Sequence, residues 1–416
     1  MKNNYYKKIT TLGIICCILW LVLINTKPLS DFVYYNELAK QIANGGTWGN
    51  TYTSVGYPIV LGFIYKIFGS SLIVAKIFNL ALTLVNYKLL YSLLKKLDIN
   101  ETRRKIIYTL FVLFPQNIFY NSILASEILF TTIFLLVTLI YYSNIKLKYP
   151  LIGILVGINT MVKPFFILFF FAIFIVELGL KIKFLNVLKH TVTVLLVSLI
   201  CISPWLYRNT KLIGQFTTVS NNGGIVLYIN NNSQNKFGRW MAAKDVENSV
   251  VLKEEYIKAN MTEKNKMLKT SAKKWIQAHP LQFIGLGFKR LANTYFIPDD
   301  VLFTFNGANL NKIAKILIIS YTALVKIIVF LFAIIGIIIK SKNIIKDLFK
   351  KNKINAYDLY ILVCFYMFTC VYFVTEGQGR YSFSTIFIAI YLFSESFMKT
   401  KFCKTKIEND ISTTLN

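Results

Sequence analysis

Histidine is almost missing from this sequence, which has only His190 and His279, without metal-ligand spacing, so a zinc centre built on histidine is not expected. The six cysteines, Cys16, Cys17, Cys201, Cys364, Cys370 and Cys403, fall in apolar runs or in the C-terminal tail. The polar parts of the chain therefore have neither a disulfide framework nor a thiolate metal site. Glycine-rich, lysine-terminated phosphate loops are absent, which removes the paired motifs of ATP-driven pumps. The two halves show no repeat of the kind that marks inverted-symmetry transporters. Acidic residues are also scarce, 19 against 47 lysines and arginines.

What the chain does have is grease. Hydrophobic residues make up 55% of it, mean hydropathy is +0.53, and apolar runs of membrane-spanning length recur throughout. These features imply an all-α polytopic membrane protein. The net charge of +28 does not indicate nucleic acid, because no basic groove motif with interleaved aromatics occurs outside the apolar segments. Lysine and arginine instead collect in short loops, as the positive-inside rule expects of cytoplasmic loops.

Tracing the chain by that rule sets the N-terminus inside, with Ile9 to Asn25 as an uncleaved first span, since no small-x-small cleavage site precedes Lys27. Further spans are expected near 57–68 or 72–94, then at 106–120, 128–142, 151–162, 165–180, 187–206, 313–339, 359–374 and 382–397. The count is about ten, with both ends cytoplasmic. The expected organisation is an N-terminal transmembrane module (1–207) with a first outer loop at 26–56 bearing amphipathic interfacial helices. A small, mainly helical extracytoplasmic domain (208–312), C-terminal transmembrane helices (313–398) and a cytoplasmic tail (399–416) follow.

This topology sorts the acids. Asp31, Glu37, Glu127 and Glu376 fall at the outer membrane surface, where acid or base chemistry facing outward has to be found. Asp31 opens an apolar, helically spaced run, 32–43, that ends at Gly45-Gly46. One reading is a helix N-cap, with the carboxylate taking backbone N–H groups at the positive end of the dipole. A carboxylate fixed at the membrane surface for chemistry is the other. Glu37, six residues on, lies about 240° around an ideal helix and off that face.

The motifs in order are Ser30-Asp31-Phe32-Val33-Tyr34-Tyr35 with Gly56-Tyr57-Pro58, Phe114-Pro115 with Tyr120-Asn121-Ser122 and Ser126-Glu127, Lys163-Pro164, Pro204-Trp205-Leu206-Tyr207-Arg208-Asn209, Asn230-Asn231-Asn232, Gly238-Arg239-Trp240 and Arg380-Tyr381. Their order and shared side resemble polytopic GT-C glycosyltransferases, in the branch of the protein O-mannosyltransferases and aminoarabinose-lipid A transferases. Each motif is short, but the resemblance spans nearly the whole chain. It implies transfer of a sugar from a polyprenyl-phosphate donor to an acceptor hydroxyl on the outer face of the plasma membrane. The acceptor is a glycan, lipid or protein, and no cofactor or metal is required. The Lys, Asn and Ile richness suits a bacterium.

On this resemblance Asp31 is the general base, and Glu127, Lys163, Arg208, Arg380, Tyr381 and Tyr57 bind substrate. A lipid phosphate leaves as an anion, so cations take the place of the second carboxylic acid used by glycosidases. Some relatives carry a second acid directly after the first, where this chain has Phe32; Glu37 or Glu127 is then the substitute. The local readings compete with this. Arg208 doubles as an interfacial anchor, Lys163 as a helix terminator, Glu127 as an N-terminal helix charge, and Tyr34, Tyr35, Trp48 and Tyr57 as interface aromatics. The glycines of Gly377-Gln378-Gly379-Arg380 imply a turn open to close approach by a ligand. The rival functions are a flippase or transporter for polyprenyl-linked sugars, a ligase or polymerase of lipid-linked glycans, and an assembly subunit that binds such lipids.

Overall fold

A computed structural model describes residues 2–400; the expected inner tail, with Cys403, lies outside the described residues from position 401 onward. Among the described residues the secondary structure is helical, without a strand, as the sequence implies. The α-helices are α1 (Lys2–Leu23), α2 (Asp31–Ala43), α3 (Gly56–Phe68), α4 (Leu72–Lys96), α5 (Glu101–Val112), α6 (Pro115–Phe119), α7 (Glu127–Tyr141), α8 (Lys148–Val162) and α9 (Phe169–Gly179). They continue as α10 (Phe184–Ile213), α11 (Gly223–Asn230), α12 (Glu254–Lys258), α13 (Met261–Ala278), α14 (Pro280–Tyr295), α15 (Val301–Thr304), α16 (Lys312–Phe349), α17 (Ala356–Val374) and α18 (Ile386–Phe397).

Five of these, α1 from Asn4, α4, α10, α16 and α17, are long and apolar enough to cross a membrane. The other expected spans are shorter helices, several extended by a 3-10 turn at one end, as in Pro164–Leu168 before α9 and Gly379–Thr385 before α18. Proline explains the break at 113–115. Pro115 has no N–H to continue α5 and instead occupies the first turn of α6, so the expected 106–120 span is two helices. Large apolar side chains such as Val22, Leu23, Leu185, Ile200 and Leu317 stay exposed on α1, α10 and α16, which suits helices whose outward face meets lipid.

One continuous core joins α2 to α5 and α7 to α10 with α16, α17 and α18. Much of it is aromatic: Phe134 contacts Phe166, Phe368 and Phe387 with centroids 5.1–5.5 Å apart. The first loop folds α2 against α3, where Gly62 meets Ile42 and the carbonyl of Ala39 too closely for any side chain. That contact lays α2 across the end of the bundle, Asp31 at its start.

Residues 214–311 form a helical cap at the same end. Its own small core is Tyr228, Ile229, Val246, Leu268 and Ala272, between α11 and α13. The start of α13 carries a complete capping box, Asn260 with Glu263. The expected boundary at Arg208 falls inside a helix, since α10 runs on to Ile213 and ends at left-handed Gly214.

A buried arginine ties cap to bundle. Arg290 is fully buried; its Nε donates to the carbonyl of Phe373 at 2.7 Å and its Nη1 to that of Asn230 at 2.7 Å. Burial lowers its guanidinium to about 10. Asn231 adds a bond from its amide to the carbonyl of Val374, 3.0 Å. The asparagine run thus serves to join the cap to the end of α17.

Candidate active site at the capped end of the bundle

The two Asp31 readings separate in the structure. Ser30, at φ 53° and ψ −130°, takes the N-cap position of α2 without a side-chain cap bond, and Asp31 is the first helical residue. The N-cap reading of Asp31 is therefore corrected: its carboxylate turns away from the backbone and accepts a 2.8 Å bond from Nη2 of Arg380, 349 residues away in sequence. The Asp31 side chain is 46% exposed and that of Arg380 14%, so the pair opens toward the acid. Nε of Arg380 is buried and has no partner among the described residues.

A second pair stands beside the first. Lys163 ends α8 in extended backbone, forced by Pro164, and its Nζ meets Glu127 at 3.1 Å, both side chains nearly buried. The ring of Tyr381 links the two pairs: Lys163 Nζ lies 5.4 Å from its centroid and the Arg380 guanidinium also 5.4 Å. Tyr381 is fixed by a stack on Tyr372, 5.6 Å and 17°, and by a 2.8 Å bond from its hydroxyl to Glu376. Tyr57 sits behind this group, 1% exposed, its ring 5.8 Å from Tyr35 and its hydroxyl turned to Asn79. Four distant segments thus bring Asp31, Glu127, Lys163, Arg380 and Tyr381 to one place.

Two expected residues are elsewhere. Glu37 is 59% exposed and bonds Lys40 and Asn36 on the far side of α2. Arg208 does not join the cluster. Its guanidinium lies 4.4 Å over Trp205 and bonds the carbonyl of Gly49 and the amide of Asn209. It borders a separate, largely apolar cavity of about 590 Å³ with Trp48, Ile59, Met161, Pro204 and Trp205.

The turn before Arg380 also differs from expectation. Gly377 and Gly379 allow close approach by protein instead of ligand. A Cβ on Gly377 would stand 2.5 Å from the Arg290 carbonyl, and one on Gly379 would run into the Asp299 and Asp300 carboxylates and, at 2.6 Å, the Ile297 carbonyl. The N–H of Gly379 donates to Asp299 at 3.2 Å and its carbonyl accepts from Lys326 at 3.0 Å, so both backbone groups next to Arg380 are held.

Lys326 and Asp300 are the residues that sequence reasoning missed. Lys326, mid-way along apolar α16, is fully buried; it donates to the carbonyls of Ile297 and Gly379 and lies 3.8 Å from Asp300. Asp300 in turn accepts from Tyr120 at 2.6 Å and from Gln116. A lysine inside a 38-residue apolar helix was the available signal, since an intramembrane charge needs a partner.

No protein-family model matches the sequence, and no curated protein matches it. Solved structures that this chain is similar to include two. The Archaeoglobus fulgidus oligosaccharyltransferase, tethered to an acceptor peptide, matches at 10% identity over 94% of this chain and 49% of that one, TM-score 0.46. ArnT from Cupriavidus metallidurans, bound to undecaprenyl phosphate, matches at 13% identity over 93% of this chain and 77% of that one, TM-score 0.43. This chain spans about half the length of the archaeal protein. Neither likeness assigns a role to a residue of this chain.

Proposed function

We propose that this chain is a membrane glycosyltransferase that moves a sugar from a polyprenyl-phosphate donor to an acceptor hydroxyl on the extracytoplasmic face, with inversion. The observation that carries the reading is the Asp31–Arg380 pair: an accessible carboxylate beside a guanidinium that still has a buried, unpartnered N–H. Buried donors without partners are uncommon, and one on a guanidinium that already belongs to a charged cluster suits an anion that arrives with substrate. The ordered motifs of the sequence give the same chemistry.

In the proposed step the acceptor oxygen attacks the anomeric carbon while Asp31 takes the hydroxyl proton. The bond from that carbon to the phosphate oxygen breaks, and the lipid phosphate leaves with the electron pair. Arg380 and Lys163 face the growing negative charge, and Glu127 holds Lys163 in place. The apolar lining of the cavity beside Arg208, about 590 Å³, suits a segment of hydrocarbon chain with an anionic end near the guanidinium. Glu127, and not Glu37, is the acid available to assist Asp31, since only Glu127 lies in the cluster.

The test is transfer of labelled sugar from a polyprenyl phosphate by purified protein, with Asp31→Asn beside wild type. Loss of transfer with retained donor binding supports the general base. Full transfer by the variant removes Asp31 from the chemistry, and movement of donor across vesicles without transfer favours a flippase.

A further inference from the structure

The cap contains a cleft that the chemistry at Asp31 does not use. It has a volume of about 320 Å³, near the lower end of small-ligand sites, and is lined among others by Ser233, Gln234, Glu247, Asn248, Ser271 and Trp275. We propose that this cleft binds a neutral saccharide.

Charge is the first argument. In a chain of net charge +28 the cleft lining includes one carboxylate and no lysine or arginine, so an anionic ligand has no counter-charge there. Functional groups are the second. The side chains of Asn248 and Ser271 have no hydrogen-bond partner among the described residues, and Glu247 uses only Oε2, accepting from Gln234 at 3.2 Å. An amide, a hydroxyl and a carboxylate oxygen therefore face the space with free donors and acceptors, which match the paired donor and acceptor capacity of vicinal sugar hydroxyls.

Preorganisation is the third. The indole N–H of Trp275 donates to Ser233 at 2.9 Å, and its ring stacks on His279 at 5.1 Å and 16°. The ring is thereby locked as a wall against which the C–H face of a sugar can pack without ordering a mobile side chain. Asn248 holds a left-handed conformation, φ 52°, tolerated by asparagine more than by most residues.

The position gives the cleft a use. Asn231, also in its lining, bonds the carbonyl of Val374 and accepts from Arg290, which grips Phe373. Two residues beyond Val374, Glu376 holds the Tyr381 hydroxyl. A saccharide in the cleft is thus held on the structure that carries Arg380, as a glycan acceptor would need to be. That use rests on the transfer reading; the binding itself does not.

The experiment takes the full chain in lipid nanodiscs, free of glycosidic detergent, without donor. Saturation-transfer NMR and calorimetry are run against gluco-, manno-, galacto- and N-acetylglucosamine tetrasaccharides, with inorganic phosphate as the charged probe. At least one neutral saccharide is expected to bind, uncompeted by phosphate, and Trp275→Ala to weaken it about tenfold or more. Trp275→Phe should retain most of the binding, and Gln234→Ala/Asn248→Ala, both outside the cap core, should lose several-fold. Asp31→Asn should bind as wild type, which separates this site from the transfer reading. Binding by no saccharide, or binding equal to wild type by both Trp275→Ala and Gln234→Ala/Asn248→Ala, overturns the proposal.

Discussion

The two ends of the bundle use charge in opposite ways. At the end away from the cap, Glu395 accepts three cations, Arg103 at 3.0 Å, Lys340 at 3.0 Å and Lys399 at 3.1 Å. Asp358 beside it takes Lys340 at 2.8 Å, the Tyr391 hydroxyl at 2.7 Å and sits in the first turn of α17. No side chain of this network is among the buried groups without a partner. At the capped end the buried groups without partners include Arg380 Nε, Gln116 Oε1 and Ser384 Oγ. A network whose members are all satisfied braces helices; one that holds partners in reserve is suited to receive a ligand.

This contrast can be broken by substitution. The largest expected effect is that of Asp31→Asn, a fall in transfer of about 10²–10⁴ with donor binding retained, measured by labelled-sugar transfer and direct binding. Arg380→Lys keeps the charge but loses the planar fork, so transfer should fall by about 10²; donor binding should weaken as well. Gly379→Ala displaces the turn by pushing a Cβ against the Asp299 and Asp300 carboxylates, without removing a charged group. It is expected to reduce transfer by about tenfold or more, through the shift of Arg380, with a smaller change in melting temperature.

At the other end the order should invert. Glu395→Gln is expected to cost about 1–3 kcal/mol of stability, read by thermal unfolding, while activity per folded molecule stays as in wild type. If that variant instead lost activity at full stability, the division between brace and site would fail. Glu37→Ala, on an exposed pair, should change stability by no more than about 0.5 kcal/mol and leave transfer unaltered.

Much of the helical plan was legible because apolar length and basic loops follow from the bilayer itself. The α2 helix was expected from 32 to 43 and runs from Asp31 to Ala43. The break within 106–120 was harder to see, since hydropathy is silent on where Pro115 interrupts a helix, whereas the one at Pro164 followed from the Lys163-Pro164 step. Asp31, Glu127, Lys163, Arg380 and Tyr381 were each named from short motifs and the resemblance they carry, yet nothing local shows that Arg380 would pair with Asp31 or Lys163 with Glu127. Arg208 borders another cavity, a direction that spacing cannot encode. Lys326 was hidden among so many lysines that its depth in an apolar helix went unweighed. The Asp299-Asp300 step gave no signal, because its partners come from α6, α16 and the turn before α18.

The length of α16 has a further consequence. It carries Lys326, which serves the capped end, and Lys340, which serves the other, on one uninterrupted rod. Fourteen residues at 1.5 Å each separate them axially by about 21 Å, less than the roughly 30 Å of a bilayer's hydrocarbon. The helix acts as a depth gauge. With Lys340 level with one edge of the hydrocarbon, Lys326 lies about 9 Å short of the other. A lipid-borne phosphate reaching the neighbourhood of Arg380 would then dip below the headgroup plane, into a recess where each ion pair acts with little screening by salt.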